Sequence, residues 1–177
     1  GRPALALSLL QDMREEGLKP CPTGYAAASS AFASLERAKD AVVLAQEALD
    51  QGTEASLELL DPVVAACERV GDKATADAWL AIGIERGAFY DAAFARAVGQ
   101  LDVHGMSTAV ARAQLRRHLA RIEAEYREAG EDFRVPDLVV ICGKGVRSAM
   151  RGSSSVFAPT LNPMLRRSIL DELRNGL

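Results

Sequence analysis

Three glycines recur at an interval of 35 residues, Gly17, Gly52 and Gly87, and that interval limits the fold more than any other feature of the chain. Each closes a segment of helical composition, MREEG, ALDQG and IERG. Glycine is the usual residue just past a helix end, because it enters the left-handed backbone region without a Cβ clash. The surrounding positions keep the same frame: Ala6, Ala41 and Ala76; Leu9, Leu44 and Trp79; Glu15, Asp50 and Glu85. A unit of this length is a helix pair that cannot bury its apolar face alone, so successive pairs are expected to stack into a solenoid. The expected helices cover residues 2–16, 23–35, 38–50, 55–70 and 73–85, the first being the second member of a preceding pair. Pro62 sets a condition on the fourth. It is tolerated if that helix starts near Leu60 or Asp61, and it kinks a helix that starts at Ala55.

Composition agrees with helices. The chain is 49% apolar but only 5% aromatic, which favours close-packed, alanine-rich helices over an all-β fold. No apolar run approaches the roughly 20 residues needed to cross a bilayer, so no membrane partner is expected. The chain opens at Gly1, without a methionine and inside a helix-like segment, and reads as a fragment of a longer protein. Cys21, Cys67 and Cys142 form no Cys-x-x-Cys pair and are odd in number, which points to structural thiols in a reducing compartment. The net charge of −3 conceals a division. Residues 1–98 carry 9 Lys/Arg against 15 Asp/Glu, and residues 99–177 carry 12 against 9. The basic part is the expected nucleic-acid face.

After residue 98 the pattern changes. In Leu101-Asp102-Val103-His104-Gly105 an extended strand would put Asp102 and His104 on one face and Leu101 and Val103 on the other. An acid and an imidazole delivered together to a strand end form a candidate general acid/base pair, and a buried Asp capping a neighbouring helix is the structural alternative. Gly105 permits a sharp exit, and Ser107 is a good N-cap for a helix over 108–128. On that helix Ala111, Leu115, Leu119, Ile122 and Tyr126 make an apolar stripe. Arg112, Arg116, Arg117, His118 and Arg121 read as a solvated face. Residues 137–142 are a continuous apolar run, expected to be a buried strand parallel to the first. It ends at Gly143-Lys144-Gly145, where backbone N–H groups and an ammonium can converge on an anion. A polar stretch with Arg147 and Arg151 follows, and then a helix over 162–175, with Asn162 at the cap and Pro163 at its first position.

The 35-residue period, EEGLKP with Tyr25 eight residues after Gly17, and the downstream Gly71 resemble the pentatricopeptide repeat. Proteins of that family bind single-stranded RNA one base per repeat. The positions here that match their base-reading pairs are Ala27 with Leu57, and Pro62 with Ala92, and none of these side chains can hydrogen-bond a base edge. The resemblance therefore implies the fold, with the acidic repeats left as a spacer or a protein-docking surface. Residues 99–177 resemble the small MutS-related, or Smr, domain. Its Leu-Asp-x-His-Gly motif is complete in residues 101–105, and its Thr-Gly-x-Gly motif is met as Cys142-Gly143-Lys144-Gly145. Cys142 replaces the threonine, Arg147 stands where many relatives carry a histidine, and the final strand expected of that domain is not met before Leu177.

The two resemblances imply a fold in two parts. A helical repeat solenoid over 1–98 precedes a small α/β Smr sandwich over 99–177. They also imply a repeat-plus-Smr protein of plant or algal organelles, chloroplast or mitochondrion, acting in RNA processing. The first functional expectation is an RNA endonuclease. In it Asp102 activates water or holds Mg²⁺, His104 moves the proton, and Gly143, Lys144, Gly145, Arg147 and Arg151 take the phosphate. The second is a non-catalytic RNA- or protein-binding scaffold that uses the same pocket. A third is a DNA-nicking nuclease.

Overall fold

The spacing of glycines and caps translates directly into helices of one length. The structure, a computed structural model, describes residues 3–97, 99–129 and 137–142. Five helices of 13 residues each come first: α1 Pro3–Glu15, α2 Pro22–Ser34, α3 Ala38–Asp50, α4 Leu57–Arg69 and α5 Lys73–Glu85. Ser56 caps α4 by accepting from the Leu59 N–H, and Asp72 caps α5 by accepting from the Thr75 N–H at 3.1 Å.

The three repeated glycines end their helices by the same chemistry. Gly17, Gly52 and Gly87 have φ of +68°, +79° and +78°. Past them, the N–H groups of Leu18, Thr53 and Ala88 reach back to the carbonyls of Met13, Ala48 and Gly83 at 2.7, 2.9 and 2.7 Å. These bonds are the six-to-one closures of a Schellman stop. The first helix of each pair has its own repeated stop, with Glu36 (φ +57°) in one unit where Gly71 (φ +78°) stands in the next.

Within the helical unit α2 packs on α1, α3 and α4, and α4 packs on α3 and α5. The contact surfaces are small residues around a few large ones: Ala28, Ala41, Ala45 and Ala48 lie among fully buried Tyr25, Leu44, Leu59 and Leu60. The Tyr25 hydroxyl and Arg14 both meet Glu47, so α1, α2 and α3 are also tied by polar contacts. Burial pushes the Cys67 thiol up to about 11, and it is inert packing at neutral pH.

Two local features stand out in the helical unit. α4 starts at Leu57, so Pro62 falls inside the helix and has no N–H to give the Glu58 carbonyl. The Phe89 ring packs against Gly83 of α5. A Cβ at Gly83 would sit 2.1 Å from its ring, so only glycine admits this contact.

The chain divides between Tyr90 and Asp91, and the second unit is a small α/β body. β1 Gln100–Asp102 leads through α6 Thr108–Ala129 to β2 Val139–Ile141. The strands pair in parallel, with Leu101 opposite Val140 and Asp102 opposite Ile141. Leu101, Val103, Ala111, Leu115 and Cys142 form the core, with Ala92 contributed from ahead of β1. Two expectations need correction. β2 is not buried on both faces: Val139 and Ile141 are 53% and 37% exposed, while Val140 between them packs on the core. His118 is not a surface residue but fully buried. Its Nδ1 lies 3.0 Å from the Ala93 carbonyl, because residues 91–97 fold over that side of α6. Among the described residues, no helix is long and apolar enough to cross a membrane.

Candidate functional site

β1 stops at Asp102 because Gly105 (φ +76°) turns the chain and Ser107 caps α6, accepting from the Val110 N–H at 3.2 Å. Leu101 and Val103 are fully buried and fix the strand end in the core. That leaves Asp102 and His104 on the opposite side, as strand alternation requires. They meet there. His104 Nδ1 lies 2.6 Å from Asp102 Oδ1, and the His104 backbone N–H donates to the same oxygen at 3.2 Å. Arg96 donates to the other oxygen, Oδ2, at 2.8 Å.

The two members of the pair differ sharply in exposure. The Asp102 side chain is 9% exposed and the His104 side chain 69%. Burial alone would push the Asp102 carboxyl up. Hydrogen bonds from the His104 ring, the His104 N–H and Arg96 outweigh it, and the carboxyl titrates below the ordinary aspartate value. Asp102 is thus ionised at neutral pH and only accepts hydrogen bonds, so His104 Nδ1 must carry the hydrogen. In the neutral ring Nε2 then keeps its lone pair. An exposed imidazole with one nitrogen held by a buried carboxylate is an oriented base.

Among the described residues Asp102 caps no helix; its partners there are a ring, a turn N–H and a guanidinium. It is also poorly arranged as a ligand for resident Mg²⁺. Oδ1 accepts two hydrogen bonds, and Oδ2 faces a guanidinium that a divalent ion would have to displace or sit beside. Among the described residues, no group of three or more His, Cys, Asp or Glu side chains could hold a metal.

Two of the α6 arginines expected on a solvated face, Arg117 and Arg121, are engaged instead. Arg117 pairs with Asp91 at 3.0 Å, and Arg121 pairs with Glu125 at 2.8 Å. Both guanidinium groups lie over the Phe94 ring, 5.1 and 5.0 Å from its centre. They bind residues 91–97 to the helix. Arg96 carries no sequence signal of this role, because it lies outside the motif in an irregular segment with no periodicity. Gly143, Lys144, Gly145, Arg147, Arg151 and the helix expected over 162–175 lie outside the described residues. Compared with known proteins, the chain matches no family model, no curated protein and no solved structure.

Proposed function

We propose that residues 99–177, supported by the segment 91–97, form an Smr-like module that cleaves phosphodiester bonds of single-stranded RNA, with His104 as general base and Asp102 orienting it. The observation that carries this reading is the 2.6 Å contact between a buried carboxylate and an exposed imidazole at a strand end. RNA supplies its own nucleophile. His104 Nε2 takes the proton of a 2′-hydroxyl, the 2′-oxygen attacks phosphorus, and the bond to O5′ breaks, with O5′ protonated from solvent. The products are a 2′,3′-cyclic phosphate and a 5′-hydroxyl. Charge building on the phosphate oxygens needs cations, and Lys144, Arg147 and Arg151, with the N–H groups of Gly143 and Gly145, are the proposed source. Asp102 stabilises the imidazolium as it forms. Any Mg²⁺ would arrive with the substrate phosphates rather than on Asp102.

The decisive test is incubation of the chain with end-labelled single-stranded RNA, its 2′-deoxy counterpart and duplex DNA, each with Mg²⁺ or with EDTA. Cleavage of RNA alone, lost in His104→Ala, is the expected result. Cutting of the deoxy strand would instead favour the DNA-nicking reading, and no cutting of any substrate would leave a binding module.

The helical unit is proposed to be pentatricopeptide-like, as part of a protein of organellar gene expression. The matching stops 35 residues apart and the packing of α2 and α4 on their neighbours support this. Base reading by these units is not proposed, since Ala27, Leu57, Pro62 and Ala92 lack the groups for it and Ala92 is buried. A groove lined by Val42, Val43, Trp79 and Ile82, together with Glu47 and Asp50, favours protein docking on this unit as a second role. If Val43→Glu leaves the set of co-purifying proteins unchanged, that role is wrong.

A further inference from the structure

We propose that Arg96 is a positioning residue that locks the Asp102 carboxylate so that the exposed His104 ring stays in one orientation; this rests on His104 acting as the base. The need for such a lock follows from exposure. His104 is 69% exposed on its side chain, and among the described residues its ring has one hydrogen-bond partner, Asp102 Oδ1. The other contact to that oxygen is the His104 backbone N–H, so Oδ1 is held by one residue alone, and a carboxylate held at one oxygen can still turn about its Cβ–Cγ bond and carry the ring with it. Arg96 holds the second oxygen at 2.8 Å and removes that freedom.

The guanidinium itself comes from a main chain that is tied down on both sides. The Ala93 carbonyl accepts from Arg121 Nη1 at 2.9 Å, and the Arg96 carbonyl accepts from the same nitrogen at 3.1 Å. The buried His118 ring donates to Ala93 as well, and Arg117 holds Asp91. Phe94, two residues before Arg96, lies under both guanidinium groups. The cationic residues of α6 thus anchor the segment that carries Arg96, Arg96 fixes Asp102, and Asp102 fixes His104. The geometry serves catalysis because a reacting group displaced by about 1 Å can lose about 10²-fold in rate.

Arg96→Gln and Arg96→Lys separate positioning from substrate binding and from simple stability. Lysine can make the single contact that Arg96 makes, so it should restore most of the function, while glutamine keeps polarity without the charge. Expected for Arg96→Gln is a kcat for RNA cleavage lower by about 10-fold to 10²-fold, with KM little changed and a melt close to wild type. In ¹⁵N NMR of the chain, the His104 ring should pass from one tautomer, protonated at Nδ1, to a mixture, and Arg96→Lys should recover the single form. An unchanged His104 tautomer in Arg96→Gln overturns the proposal, as does a loss confined to KM, which would make Arg96 a phosphate contact. A wild-type chain that cuts nothing defeats the nuclease reading instead, and the tautomer measurement still decides the role of Arg96.

Discussion

The helical unit and the α/β unit bury different things. Among the described residues, the buried polar side chains are Ser29 in the first, and Asp102, Gln114 and His118 in the second. Ser29 gives its hydroxyl hydrogen to the Leu59 carbonyl and ties α2 to α4. Asp102 is ionised and holds an imidazole that reaches solvent. A buried charge costs more than a buried methyl group unless several donors meet it, so it persists where it has partners such as Arg96 and His104. The contrast teaches where chemistry can reside. The helical unit packs 13-residue helices through small residues, and the α/β unit holds a buried carboxylate against an exposed imidazole at the end of β1.

Activity separates the two units most clearly. His104→Ala should cut RNA cleavage by about 10²-fold to 10⁴-fold and leave the melting temperature nearly unchanged, since the ring is exposed. Asp102→Asn should also lose about 10²-fold while binding RNA as well or slightly better. Equal cleavage by a folded Asp102→Asn chain would remove Asp102 from the mechanism.

A core truncation in the other unit should act in the opposite sense. Leu60→Ala removes a fully buried side chain and should destabilise the helical unit by about 2–4 kcal/mol in urea unfolding. Cleavage measured well below the new midpoint should be retained. If activity falls in step with the stability of the helical unit, the two units are coupled and the contrast fails.

Acid sharpens the difference. The Asp102 carboxyl titrates below its ordinary value, so its contribution to stability is complete above the unfolded-state value. That contribution is lost as pH falls through the lower, folded-state value. The pH dependence of the melt below about pH 4 should therefore flatten in Asp102→Asn. An acid limb identical to wild type would mean that the bonds to Arg96 and His104 do not contribute to stability.

The smallest expected effect lies in the repeat itself. Glu36 occupies a left-handed conformation (φ +57°) where the next unit has Gly71. Glu36→Gly should raise stability by about 0.5–1 kcal/mol, the strain relieved less the added freedom of the unfolded chain. A destabilised variant would show that the Glu36 side chain has a role beyond filling the position.

What the sequence determined by itself was whatever depends on neighbours along the chain. Helices α3 and α5 begin and end where spacing and glycine stops put them, and α1, α2 and α4 differ by one or two residues at their ends. The parallel strand pair flanking a helix was legible, as was the shared face of Asp102 and His104, because alternation along a strand is a local rule. Tertiary structure alone decided what packs against those faces. His118 is buried because residues 91–97 cover it, and Arg117 and Arg121 are engaged because Phe94, Asp91 and the Ala93 carbonyl come to them. Arg96 reaches Asp102 through an irregular turn that no periodicity encodes, and Phe89 finds Gly83 only because its ring needs a bare backbone to lie on. Periodicity reports which side of an element is apolar. It does not report which other part of the chain will arrive there, and that arrival sets the burial and the partners of every charged group near the site.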